Sequence, residues 1–108
     1  MIESRLVRYR KCAATCASTN YGTGDCVGRH NAAVDEMRRI VVEPGAADEL
    51  SSLLDEPESA RWLAIQLLEL SQPAPEIRER CLAIVRQLAV GAGAEALGAK
   101  YWLRDFKG

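Results

Sequence analysis

Apolar positions recur at helical spacing along the chain, and no useful length alternates apolar and polar residues with the period of a strand. Ile2, Leu6, Tyr9, Ala13 and Cys16 share one face of a helix predicted over 2–17. Cys26, His30, Ala33, Val34, Met37, Ile40 and Val41 form the stripe of a second, opening after Asp25, whose carboxylate suits an N-cap. A short third helix is predicted over 46–54, with Leu50, Leu53 and Leu54 inward and Asp48 and Glu49 near its positive end. The fourth, over 58–70, is apolar nearly all round, interrupted only by Arg61, Gln66 and Glu69, and should be central. The fifth, over 75–90, should bury Ile77, Cys81, Ile84, Val85 and Leu88, with Pro75 at an early position and Glu76 and Arg80 paired outside. The sixth, over 94–106, offers Leu97, Tyr101, Trp102, Leu103 and Phe106.

Breakers separate these segments: Asn20 to Gly24, Pro44-Gly45, Pro57, Pro73-Ala74-Pro75 and Gly91-Ala92-Gly93. Six short helices with short connections imply antiparallel neighbours in an all-α domain, either a bundle or a right-handed stack of helix pairs.

At 108 residues the chain is one domain, long enough for a single core. A formal net charge of −1 argues against a dedicated nucleic-acid binder. The charge is nevertheless segregated. Arg5, Arg8, Arg10, Lys11, Arg29, Arg38 and Arg39 outnumber the acids before Ile40, whereas Asp48, Glu49, Asp55, Glu56 and Glu58 cluster after it. A mildly basic end and an acidic end are expected. The first residues do not resemble a signal peptide and no apolar run reaches the length of a membrane span, so a cytoplasmic protein with mostly reduced cysteines is expected.

The stretch from Leu53 to Ala64 carries an apolar pair, Asp55, a turn with Pro57, the pair Ala60-Arg61 and small residues. It resembles the turn and second helix of a HEAT-type repeat, in which Asp55 would cap the incoming helix, Pro57 set its entry angle, and Arg61 reach back toward the turn acid. The fifth and sixth helices look like a degenerate second copy. With Gly24-Asp25, Asn31, Asp35 and Tyr101-Trp102-Leu103-Arg104, the chain is similar from about Arg5 to Phe106 to a bacterial family of small, uncharacterised helical proteins with HEAT-like repeats. The resemblance implies about six short antiparallel helices in a HEAT-like right-handed αα superhelix. Residues 1–43 would be an N-terminal hairpin cap and 44–108 two degenerate repeats. It also implies a binding role, since HEAT-like proteins of this size include immunity proteins that neutralise bacterial toxins. No catalytic residues are established for the family, and none carries over.

The candidate chemistry lies elsewhere. Cys12 and Cys16, and Cys26 and His30, are each four apart on a helical face, and a hairpin would set Cys16 opposite Cys26 and Cys12 opposite His30. Four such ligands could clamp a structural zinc. The alternatives are a Cys16–Cys26 disulfide and plain core packing of small side chains. His30 is the only histidine and has no acid in a recognisable motif beside it. Gly22 and Gly24 lack the lysine and strand of a phosphate loop, and no nucleophile-elbow, metalloprotease or calcium-loop pattern is present. Adjacent carboxylates such as Asp35-Glu36 diverge on a helix and make no acid–base dyad. Trp62, Tyr101 and Trp102 read as core anchors or as lining of an exposed groove, with Trp102, near Lys100 and Arg104, the first choice for a surface anchor.

The expectation is a non-enzymatic protein-interaction module without a cofactor, binding another protein and neutralising a toxin or enzyme by steric block. It would use the acidic patch (Asp48, Glu49, Asp55, Glu58), Arg61, or the Trp102 and Arg104 face. The alternatives are a Cys/His metal sensor and a nucleic-acid binder using the Arg-rich first two helices.

Overall fold

The computed structural model describes residues 4–18 and 24–106. Among them the chain is all-α: α1 (Arg5–Ser18), α2 (Gly24–Val41), α3 (Ala46–Leu50), a 3₁₀ turn (Ser51–Asp55), α4 (Pro57–Leu70), α5 (Pro75–Ala89) and α6 (Ala94–Asp105), with no strand. No helix is long and apolar enough to cross a membrane among the described residues. The predicted segments match these bounds closely where residues are described, the expected start at Ile2 and most of the turn from Asn20 lying outside them, and the third ends in a tightened 3₁₀ turn, a common way for a helix end to satisfy its carbonyls. The slab measures 38 × 35 × 21 Å, and its thin dimension is about two helix diameters, so the fold is two layers deep.

One buried cluster links the helices. Tyr9, Ala13 and Cys16 enter from α1, Met37, Ile40 and Val41 from α2, and Leu50, Leu53 and Leu54 from the α3 corner. Leu63, Ala64 and Leu67 enter from α4, Cys81, Leu82 and Val85 from α5, and Ala99 from α6. As expected for a helix with so little polar face, α4 is central and touches α1, α2, α5 and the 3₁₀ turn. The core is not wholly apolar. Tyr9, fully buried, donates its hydroxyl to Gln66 Oε1 at 2.6 Å, and Gln66 Nε2 lies 4.0 Å from the Met37 sulfur. A buried amide without a partner would carry a desolvation penalty, so this bond joining α1 to α4 explains why Gln66 faces inward. No buried side-chain nitrogen or oxygen is left without a partner among the described residues.

Several local expectations are corrected. α2 opens at Gly24, so Asp25 lies inside its first turn rather than at the cap. Asp55 does not cap α4. The N-cap is Glu56, in extended backbone and without a side-chain bond, and Pro57 follows at the start of the helix, where its missing N–H is harmless. Asp55 ends the 3₁₀ turn and pairs instead with Arg80 at 2.7 Å, which draws Arg80 away from the expected Glu76. Arg61 likewise bypasses the turn acid and meets Glu95 of α6 at 3.2 Å. On α6 the alanines Ala96 and Ala99 are buried, while Leu97 and Tyr101 are each 51% exposed. Small side chains let α6 close on α5, and the bulkier stripe turns outward. Gly45 and Gly93 enter α3 and α6 at φ 77° and 93°, backbone that side chains rarely adopt.

The expected separation into a basic end and an acidic end is lessened by ion pairs. α1 packs against α2, α3 and α4, bringing its arginines onto the acids. Arg5 bridges Glu43 and Glu49, both at 2.9 Å. Arg8 bonds Glu36, which Arg39 also holds at 3.0 Å. Arg10 forks onto Glu56 with bonds of 3.0 and 2.6 Å. The guanidiniums hold both carboxyls below their ordinary range, Glu36 first through the Arg8 bond and Glu56 first through the Arg10 bond. Arg5 and Arg10 neutralise acids from beyond Ile40 because their helices are neighbours, whereas the Arg8–Glu36–Arg39 cluster pairs charges within the basic part itself.

Candidate protein-docking cleft

α4 and α6 are bridged twice. Arg61 Nη1 donates to Glu95 Oε2 at 3.2 Å, and Trp102 Nε1 donates to Glu69 Oε1. The partners advance together, from 61 to 69 along α4 and from 95 to 102 along α6, so the two helices run in the same sense. An open cleft of about 300 Å³ lies on the α4, α5 and α6 surface. Trp62 and Ile65 of α4, Leu88 of α5, and Gly98 and Ala99 of α6 form its apolar lining, and Arg61 and Glu95 are its polar members. Gly98 contributes an opening: a Cβ built there would meet nothing within 4 Å.

Two smaller depressions share this lining. One, with Cys16, Ala17 and Glu58, includes Arg61 and Trp62 and lies where α1 meets α4. The other, with Leu54, Asp55 and Ile84, includes Arg61 and Leu88. Arg61 therefore borders all three, and Trp62 two. Aromatic and arginine side chains at the rim of an apolar depression are the residue types that dominate protein-binding energetics.

The expected partner-binding residues are not gathered into one patch. Asp55, Glu58 and Arg61 do come together along these depressions. Asp48 lies apart, in a groove formed with Val42, Pro44 and Pro73, and Glu49 is held by Arg5. Trp102 is half-buried. Its ring stacks on Phe106 at 4.6 Å and 15°, its indole N–H is spent on Glu69, and it ties α6 to the body. The exposed aromatic of α6 is Tyr101, with the Arg104 guanidinium 5.0 Å from its ring centre. Glu95 and Gly98 were not singled out by the sequence, and Leu88 and Ile65, expected only as apolar helix positions, are half-buried and line the cleft. The one available signal was Gly98 itself, a glycine inside a helix where alanine is worth about 1 kcal/mol more.

The Cys/His hairpin is placed in part. Cys16 is buried and Cys12 half-buried on α1, and the His30 ring meets the Trp62 ring edge-on at 5.5 Å and 63°. The Cys26 side chain lies outside the described residues. Among those described, no three histidine, cysteine or acidic side chains converge as metal donors. Cys12, Cys16 and Cys81 are free thiols, so the Cys16–Cys26 bridge is not formed in this structure. Burial pushes the Cys12 and Cys16 thiols above their ordinary value and Cys81 up to about 11, the opposite of an activated nucleophile.

Comparison with known proteins finds no matching family model, no matching curated protein and no matching solved structure.

Proposed function

We propose that this chain is a non-catalytic protein-interaction module and that the α4–α6 cleft is its docking site. The observation that carries the reading is an apolar cleft lined by Trp62, Ile65, Leu88 and a helix-interior glycine, with Arg61 at its edge. The common direction of α4 and α6 is what a HEAT-like stack of helix pairs gives, and such stacks bind along the groove between equivalent helices. Arg5, Arg8, Arg10 and Arg39 are engaged with carboxylates, which leaves the first two helices poorly suited to a phosphate backbone. A module that acts by occupancy needs no cofactor, and steric block of a toxin or enzyme is the form of action that the HEAT-like resemblance suggests. Three free thiols fit a reducing, cytoplasmic setting.

A photo-crosslinking residue at Glu58, on the rim, should capture one partner protein in its native cells. The same residue at Val42, exposed but away from the cleft, should not. Identical adducts from both positions, or none from Glu58, would defeat this reading.

A further inference from the structure

We propose that the occupant of the α4–α6 cleft is a basic amphipathic helical segment of a partner protein. Its apolar anchor would sit over Gly98, and its lysine or arginine side chains would face Glu58 and Glu95. The inference rests on the reading of the cleft as a docking site and adds the chemistry of what docks there.

Room and lining are the first argument. A cleft of about 300 Å³ lined by Trp62, Ile65, Leu88 and Ala99 is at the small end of ligand sites and suits an anchor side chain. Gly98 lies inside α6, where glycine destabilises the helix by about 1 kcal/mol relative to alanine. Neither backbone nor packing demands it: its φ is not positive, and a Cβ would enter open space. The absent side chain serves the opening.

Charge is the second argument. Glu95 is in the cleft lining and Glu58 in the adjoining depression, and the guanidinium of Arg61 lies between them. Arg61 makes one bond of 3.2 Å to Glu95, and both side chains are about half exposed, 49% and 51%. Glu58 has no ion pair among the described residues. Two carboxylates against the one guanidinium of these linings leave an acidic excess beside an apolar floor. The complementary surface is apolar with cations beside it, and opposite fields would speed encounter. An anionic nucleic acid would meet like charge.

Backbone chemistry is the third. No strand is present among the described residues, so the site offers no sheet edge to an extended segment. An amphipathic helix satisfies its own backbone hydrogen bonds and presents one apolar face to a groove of this kind. The cleft lining follows α4 from Arg61 to Ile65, about 6 Å at 1.5 Å per residue, or roughly one turn of a docked helix.

The test uses the full chain and three labelled peptides: a leucine–lysine amphipathic helix, its leucine–glutamate counterpart, and a leucine–lysine peptide with the pattern scrambled. The amphipathic lysine peptide should bind and shift the backbone amide resonances of Ile65, Leu88 and Gly98. Gly98→Leu, which fills the opening, should weaken it about tenfold or more, the scale of a lost hot spot, and Gly98→Ala much less. Glu58→Gln should weaken it and flatten its salt dependence. Circular dichroism melts establish that each variant folds, and the resonance shifts of the unmodified chain stand independently of Gly98→Leu. If the glutamate or scrambled peptide occupies the cleft equally well, the basic amphipathic occupant is wrong while the docking cleft survives. If the shifts fall elsewhere, or no peptide binds, both readings are overturned.

Discussion

The buried bond between Tyr9 and Gln66 should behave as a coupled pair. Tyr9 is fully buried and Gln66 is 5% exposed, so water cannot replace either partner. Tyr9→Phe removes the donor at 2.6 Å and leaves Gln66 Oε1 dry. The lost bond is worth about 1 kcal/mol net and the orphaned acceptor costs about 1–3 kcal/mol, so a loss near 2 kcal/mol is expected. Gln66→Met removes the amide, leaves the Tyr9 hydroxyl without its acceptor, and should cost a similar amount. The double variant orphans neither group. Its loss should fall short of the sum of the singles by about 1–2 kcal/mol. Urea unfolding of the four proteins, with the slope of free energy against denaturant checked for constancy, gives the cycle. Additive losses, or a Tyr9→Phe loss below about 0.5 kcal/mol, would refute the claim that this bond is why a polar residue is tolerated in the core.

Gly98→Ala should raise stability by about 1 kcal/mol, or roughly 4 °C in melting temperature, and a thermal melt at or below that of the unmodified chain would contradict the open space at that position. At alkaline pH the sign runs toward unfolding. The folded Cys81 thiol is pushed up to about 11 from an ordinary 9.0, so its contribution is complete below about pH 9 and lost as pH climbs through 11. Cys81→Ser isolates the thiol in pH-dependent urea midpoints between those limits. Burial raises the Tyr9 phenol above its ordinary 10.0, so its contribution is complete below that value and declines above it. At the acid end the Arg8-bonded Glu36 lies below its ordinary 4.5, so its contribution holds above that value and disappears as pH falls through the lowered one. The midpoint gap between the unmodified chain and Glu36→Gln should therefore narrow with acidification, and a constant gap would count against the Arg8–Glu36–Arg39 cluster.

Helix positions were legible because each depends on residues within a few turns of itself. Pro57 and Pro75 fall at helix starts, Gly45 and Gly93 just before helices, and apolar stripes fill the intervals. What was hidden depends on residues far apart in the chain. Gln66 looked like the solvent side of α4 until α1 brought a hydroxyl from 57 positions away. Two stripes of α6 have helical spacing, Leu97 with Tyr101 and Ala96 with Ala99 and Leu103. Pattern alone does not choose between them; the closeness of α5 does, by admitting alanine and excluding the larger pair. Of the cleft, Asp55, Glu58 and Arg61 stood out as charges next to a turn. Glu95, Leu88 and Gly98 did not, because no local rule says that side chains of α4 and α6 meet beside α5.

The charge pattern carries the same point further toward function. Formal charge along the chain suggested an acidic patch at 48–58, yet Arg5, Arg10 and Arg80 engage Glu49, Glu56 and Asp55 within it. What a partner meets is the charge left after these pairs form, with Glu58 beside the cleft and Glu95 within it, half-exposed in its pair with Arg61. α4 divides the labour by face. Leu63, Ala64 and Leu67 face the core, whereas Arg61, Trp62 and Ile65 line the cleft. Truncating Leu63 or Leu67 therefore threatens the fold through a cavity costing about 2–5 kcal/mol. A change at exposed Arg61 leaves the core untouched, so recognition can be altered on one side of this helix without dismantling the other.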